Sequence, residues 1–325
     1  MDNLTHTLTG WMLARAGLSR GQKGATVMML LAANAPDMDT VSGFRGALTY
    51  LEYHRGYTHS LAFVPLVALA PLLVARLIAR ARLTWWNYMA CVIGVLSHLL
   101  LDWTNVYGIR LLKPFSERWP RLDITDIIDP WILLILVMAL AAPALVGLVS
   151  SEIASRKVAA PVRGWAIFAL AAVLFYDTGR WVMHQRALAV LGSHLYAGGL
   201  PIRVTATPYG VNNPLRWRGI IEGDGFVYEV PVDLSKDFDP NAGFVEYPTV
   251  SSPAIDAARQ TPPFREFAKF DQVPFWRVST SLNASKVELI DLRFGSPQRP
   301  GFEALATVDE NGRVHDARFT FGAPR

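Results

Sequence analysis

The chain has 325 residues, 51% of them hydrophobic, with a mean hydropathy of +0.24 and a formal charge of +4. A mean above zero points away from an ordinary water-soluble domain, and so mild a charge gives no argument for nucleic acid. The single cysteine, Cys91, sits in an apolar run, which excludes an internal disulfide and a cysteine-built zinc site.

The opening residues, MDNLTHTLTGW, lack a basic stretch followed by a long apolar core, so no cleaved signal peptide is expected. Two short apolar helices are predicted over about 4–17 and 24–35, fit for re-entrant or buried positions rather than full spans. Four longer apolar runs follow, over 61–80, 85–103, 131–150 and 164 to about 182. At ~1.5 Å per residue each covers a hydrocarbon core of ~30 Å. Asp177 and Arg180 lie in the last of these. A charge deep in a span costs roughly 2.5–3.5 kcal/mol on insertion scales, so this pair is expected to face protein or water.

Beyond about residue 200 the texture changes to alternating runs at 226–232, 276–281, 286–292 and 313–321, read as strands. Asp224-Gly225 and Asn311-Gly312 are hairpin-turn signals. The expected fold is therefore an α-helical membrane bundle of four long spans plus two shorter N-terminal helices, followed by a small β-rich C-terminal domain. The division is placed at 1–195 and 196–325.

Basic residues orient the bundle. If every helix crosses, Arg15, Arg20, Lys23, Arg76, Arg80, Arg82, Arg156, Lys157 and Arg163 share one side with a single nearby acid, Glu152. The positive-inside rule makes that side cytoplasmic. Residues 36–60, 103–130 and everything after about 183 then lie on the opposite side.

That opposite side collects the residues able to do chemistry. His6, His54, His59 and His98 each lie near the end of an apolar helix, and Asp37, Asp39 and Asp102 join them. His98 and Asp102, spaced i, i+4, share a helix face and can reach one cation; a histidine simply hydrogen-bonded to an aspartate is the plainer account. Asp37 and Asp39 follow Pro36 in a loop, where both carboxylates can turn to one point, although Pro and Asp are also common turn residues. In His54-Arg-Gly-Tyr-Thr-His59, Gly56 lets the imidazoles converge, and Arg55 suits a phosphate or carboxylate unless it meets lipid headgroups. His6 alone reads as a polar-face residue. Asp177, Arg180 and His184 share a face as an ion-pair cluster, or complete the pocket with Arg180 on substrate and His184 near metal. Asp129 is a further potential ligand, or the cap of the helix that Pro130 begins.

Thr-His near the N-terminus, Pro-Asp-Met-Asp, His-Arg-Gly-Tyr-Thr-His-Ser, His-Leu-Leu-Leu-Asp and Tyr-Gly-Ile-Arg-Leu-Leu-Lys-Pro-Phe, in that order, resemble the YdjM-like family of bacterial inner-membrane, metal-dependent hydrolases. The resemblance covers roughly residues 1–130. More distantly, the order His, Asp, His, His-x-x-x-Asp is similar to the zinc-dependent phospholipase C and single-strand nuclease superfamily. It implies that His6, Asp37 or Asp39, His54 or His59, His98 and Asp102 are ligands for phosphoester hydrolysis. The chain departs from that superfamily in lacking its N-terminal tryptophan and its downstream His-x-x-x-Glu.

These readings combine into an expectation of a metal-dependent hydrolase at the outer surface of a bacterial inner membrane. One or two divalent ions, zinc first and manganese or iron next, are held by these ligands. Asp39 or Glu52 acts as general base, and Arg55 and Arg180 stabilise developing charge on a lipid-linked or amphiphilic substrate. The rivals are a non-catalytic metal-binding or transport protein and a structural membrane module docking a partner. An intramembrane metalloprotease is disfavoured because no His-Glu-x-x-His occurs.

Overall fold

The computed structural model describes residues 1–18, 22–153, 162–281 and 283–322, and for 149–153 the backbone alone. Arg20, Arg156, Lys157 and the Glu152 side chain, used above for orientation, lie outside this description. The described residues form two compact units. The first comprises Met1–Asp39, Arg55–Met183 and Gly210–Pro214; the second comprises Thr40–His54, His184–Tyr209 and Leu215–Arg325.

In the first unit, helices α1 (Asn3–Leu13) and α2 (Ala25–Asn34) form where short apolar helices were expected. Asp2 caps α1 by accepting from the backbone N–H groups of Leu4 and Thr5. The run from residue 61 is helical but broken into a 3-10 turn at Leu61–Phe63, α4 (Val64–Val67) and α5 (Leu69–Ala79); α3 (Ala47–Tyr53) precedes it in the second unit. Two prolines explain the break. Pro65 starts a helix well, and Pro71 cannot donate to the carbonyl of Val67, so α-helical bonding lapses between them. Helices α6 (Trp85–Thr104), α7 (Pro130–Ile153) and α8 (Val162–Gly192) complete the set.

Among the described residues, three helical stretches are long and apolar enough to cross a membrane: Leu61–Ala79, Pro130–Leu148 and Val162–Gly192. Leu134, Leu145, Phe168 and Phe175 stand exposed along the last two, a surface suited to lipid rather than water. Helix α6 spans 20 residues, but Asn87, Ser97, His98 and Asp102 make it more polar than the Leu61–Ala79 and Pro130–Leu148 stretches. α8 is longer than expected, running 31 residues, or ~46 Å at the α-helical rise.

Packing makes α2 the centre of this unit. Met28, Met29 and Ala32 of α2 share a core with Leu72 and Ala75 of α5 and Cys91, Val95 and Leu99 of α6. A second core joins Leu8 and Met12 of α1 to Ile132 and Leu136 of α7 and Ala166, Ala169 and Val173 of α8.

The second unit contains two four-stranded antiparallel sheets. One has the order β1 (Arg203–Pro208), β2 (Arg216–Glu222), β3 (Val227–Asp233), β4 (Phe244–Glu246). The other runs β10 (Val314–Thr320), β9 (Glu303–Asp309), β6 (Ala284–Asp291), β5 (Pro274–Thr280); a short hairpin, β7 (Gly295–Ser296) with β8 (Arg299–Pro300), lies between β6 and β9 in the chain. Gly225 and Gly312 adopt positive φ in the β2–β3 and β9–β10 turns, as the hairpin signals required. Ile220 and Val227 from the first sheet pack with Phe275 and Ile290 from the second. Helices α9 (Pro253–Arg259) and α10 (Pro262–Phe270), not anticipated, interrupt the strand pattern.

Candidate metal centre

The first unit brings His6, Asp37, Asp39, Arg55, His59, His98 and Asp102 together from four separate stretches of chain. α1 supplies His6, and α6 supplies His98 and Asp102 from one face. Asp37 and Asp39 stand in a 3-10 segment, Pro36–Arg45, that continues from the end of α2. Arg55 and His59 come from the turn at 55–60. His6, His59, His98 and Asp102 are fully buried, and Asp37 is 8% exposed.

Four donor atoms define the centre. Asp37 Oδ1 lies 3.5 Å from His59 Nε2 and 3.6 Å from His98 Nε2. Asp102 Oδ2 lies 3.3 Å from each of the same nitrogens, which are 3.1 Å apart. A cation with bonds of about 2.1 Å in tetrahedral coordination separates its ligand atoms by about 3.4 Å. The observed separations bracket that value.

The far sides of both imidazoles are occupied. His98 Nδ1 meets the carbonyl of Ala33 at 2.7 Å. His59 Nδ1 lies 3.0 Å from Thr58 Oγ1 and 3.3 Å from Asp39 Oδ2. With the proton on Nδ1 in each ring, both Nε2 lone pairs point inward, where they repel unless a proton or cation stands between them. Asp102 is oriented similarly. The Met1 ammonium pairs with its Oδ1, and Arg55 Nη2 donates to the same oxygen at 2.8 Å. Its Oδ2 is buried without a hydrogen bond among the described residues, as are both ring nitrogens of His6, which stacks on His98 at 3.7 Å. Orphaned buried atoms of this kind, on a nitrogen and oxygen donor set, fit a divalent metal.

The charges are tightly coupled. Burial alone raises the Asp37 carboxyl, but the adjoining His59 and His98 rings more than reverse this and hold it far below the usual carboxylate range. Burial, and then the Arg55 charge, push the Met1 amine well below its ordinary value.

Other predicted residues are placed differently. The Arg55 guanidinium is 4% exposed and binds Asp102, the Asn105 side chain and the Gly108 carbonyl, while its backbone N–H donates to Asp39 Oδ2. Asp129 accepts from the backbone of Trp131 and Ile132 and from the Tyr176 hydroxyl, so it caps α7. Arg180 donates to the carbonyls of Ile124 and Pro214. The remaining three belong to the second unit. There Glu52 is exposed on α3, His54 stacks on Tyr50 at 4.4 Å, and His184 lies 3.0 Å from the Ala206 carbonyl.

Sequence reasoning missed Thr58, Asn105 and the Ala33 carbonyl. Thr58 was legible as the neighbour of His59 in the same motif. The Ala33 carbonyl carries no side-chain signal at all.

A family model described as YdjM inner membrane protein matches residues 1–187, more than half of the chain. A Bacillus subtilis (strain 168) protein described as Uncharacterized protein YfhP is 25% identical over 321 residues, covering 95% of this chain and 91% of that protein. The likeness therefore runs through the β-rich region as well as the helices. No solved structure matches the chain.

Proposed function

We propose that this chain, which belongs to the YdjM inner membrane protein family, is a multi-pass membrane protein that hydrolyses a phosphoester or lipid-linked substrate at the Asp37, His59, His98 and Asp102 cluster. In this reading α6 is a fourth span, residues 1–195 form the membrane-embedded hydrolase domain, and the cluster faces the extracytoplasmic side. The observation that carries it is the set of separations of 3.1–3.6 Å among four buried donors, of which His59, His98 and Asp102 have their outer atoms already tied down.

A divalent cation there, zinc by ligand type and otherwise manganese or iron, supplies Lewis acidity toward a phosphoryl oxygen and acidifies water. The chain's own residues do the rest. Thr58 and Asp39 keep the proton at Nδ1 of His59, and the Ala33 carbonyl does so for His98, which fixes the tautomers. Arg55 offsets the charge of Asp102 and leaves Oδ2 turned inward. Asp39, outside the four-donor set, accepts from Thr58 and from the Arg55 backbone N–H behind His59 and so positions that ring. Burial excludes bulk water, which strengthens each of these electrostatic interactions.

A non-catalytic metal-binding or transport role is the second reading. It draws on Asp177, buried in a spanning helix with Oδ1 making no hydrogen bond among the described residues.

The test is metal per chain by elemental mass spectrometry on detergent-purified protein, with His98→Ala/Asp102→Ala alongside, followed by assay on bis(p-nitrophenyl) phosphate. One or more metal ions per chain and metal-dependent turnover, both lost in the variant, are expected. Metal without turnover favours the second reading, and no metal after reconstitution overturns both.

A further inference from the structure

The loop after α6 carries chemistry that the metal cluster leaves unused. Its segment Tyr107-Gly-Ile-Arg110-Leu-Leu-Lys113-Pro-Phe115 is fastened along the stretch that bears His59. Arg110 N–H donates to the Arg55 carbonyl at 3.1 Å, and Leu61 N–H donates to the Leu111 carbonyl at 3.0 Å. Ser60 Oγ donates to the carbonyl of Lys113.

Two cations on this loop are buried, Arg110 at 5% and Lys113 at 9% exposure. Aromatic rings hold both in place. The Arg110 guanidinium lies 4.7 Å from the centre of the Trp119 ring, and Lys113 Nζ lies 4.5 Å from that of Tyr57. Both reach one carboxylate, Glu117, at 3.6 Å and 3.4 Å. The Glu117 side chain is 61% exposed. Burial lowers the Arg110 pKa, and the charges of Glu117, Tyr107 and Asp39 oppose that effect. Asp39, beside His59, is thus near enough for its charge to act on Arg110.

Two desolvated, aromatic-braced cations converge on a carboxylate that hangs in solvent. A fork-shaped guanidinium beside a point-charge ammonium is a phosphate-recognising pair. A phosphate brings up to two negative charges and three strong acceptor oxygens where Glu117 brings one charge. On the same turn Leu112 and Phe115 stand exposed, an apolar edge next to the cations.

We propose that Arg110 and Lys113 form a subsite for the phosphate group of the substrate, and that Glu117 is a resident stand-in whose carboxylate the phosphate displaces. This rests on the hydrolase reading of the adjoining cluster and names its substrate class, a phosphate ester. Glu117 leaves readily because a carboxylate already largely in water gives up little on release.

The probes are glycerol 3-phosphate and dihexanoyl phosphatidate, titrated calorimetrically into the full-length protein in detergent micelles, with metal content measured on every sample. Lys113→Gln is expected to weaken binding of both probes about tenfold or more, with recovery in Lys113→Arg. Glu117→Gln is expected to tighten it severalfold, a direction that a merely structural ion pair does not produce. Because Glu117 is exposed, its variant tests the proposal even where Lys113→Gln folds poorly. Tighter binding of phosphatidate than of glycerol 3-phosphate assigns the acyl chains to the Leu112 and Phe115 edge, and equal binding assigns a water-borne ester; both uphold the phosphate subsite. Unchanged or weaker binding in Glu117→Gln overturns it. Metal without phosphate binding sinks the subsite alone, whereas phosphate binding without metal sinks the hydrolase reading and leaves the subsite standing.

Discussion

His59 and His98 turn their Nε2 atoms toward each other at 3.1 Å, and the residues behind them account for it. Their identity as donors was legible from the i, i+4 spacing to Asp102 and from the His-Arg-Gly-Tyr-Thr-His motif. The role of Arg55 was not. An arginine beside two histidines reads as a clamp for an anion, yet its guanidinium is consumed by Asp102, Asn105 and Gly108, partners 47 to 53 residues away. Asp271 in the second unit poses a different single-residue problem. Its Oδ1 accepts from the Val273 N–H at 3.0 Å, while Oδ2 is buried beside Asp291, itself bound by Arg293. Burial, and then the charge of Asp291, push its carboxyl well above the ordinary value of 3.8. The folded state therefore binds this proton more tightly than the unfolded state. The resulting penalty is absent at acid pH and grows as pH rises above the unfolded value. Asp271→Asn removes it, and the gain at pH 7 is expected to be about 1–3 kcal/mol, the usual cost of a buried group left without a partner. Thermal midpoints at pH 7 and pH 4.5 check this; the gain shrinks at the lower pH, and no gain at pH 7 refutes it.

Among the elements, small residues on three helices decide whether the donors can meet. A Cβ at Gly10 of α1 would fall 2.7 Å from Ala33 Cβ and 2.8 Å from the Met29 carbonyl oxygen. One at Gly94 of α6 would fall 2.7 Å from Ala32 Cβ. α2 is thus pressed close to both neighbours, and the Ala33 carbonyl that orients His98 sits in the same contact. Gly94 lies one turn before His98, so Gly94→Val must move α6 away from α2. Overpacking of this kind costs roughly 1–3 kcal/mol. Metal per chain is expected to fall at least tenfold with membrane insertion retained, whereas Gly179→Val, where a Cβ meets open space, leaves the metal content unchanged. Equal metal in both variants refutes the packing argument. The apolar runs made these helices legible, and the break between α4 and α5 could have been read from Pro65 and Pro71. Helices α9 and α10 escaped because they are only 7 and 9 residues long, too short for periodicity to outweigh the strand pattern around them.

For the whole molecule, the prediction concerns orientation. If every helix crosses, the nine basic residues gathered against Glu152 are expected, by the positive-inside rule, to put their connections in the cytoplasm and the C-terminal region outside. An alkaline phosphatase fused to the C-terminus is expected to be active and a fused green fluorescent protein dark; the reverse pattern refutes the assignment. The sequence by itself determined that the chain holds helices long and apolar enough to span, followed by a β-rich region, because hydropathy and alternation are local properties that each segment carries alone. It also determined which residue types were available for a metal. Only the tertiary structure decided which of them converge. Glu52 and His184 have the same chemistry as the clustered residues but fall in the other compact unit. The four central donors are drawn from positions 37, 59, 98 and 102, and their geometry depends on helix crossings and on a backbone carbonyl. Contacts between segments so far apart are set by packing, which no periodicity within one segment encodes.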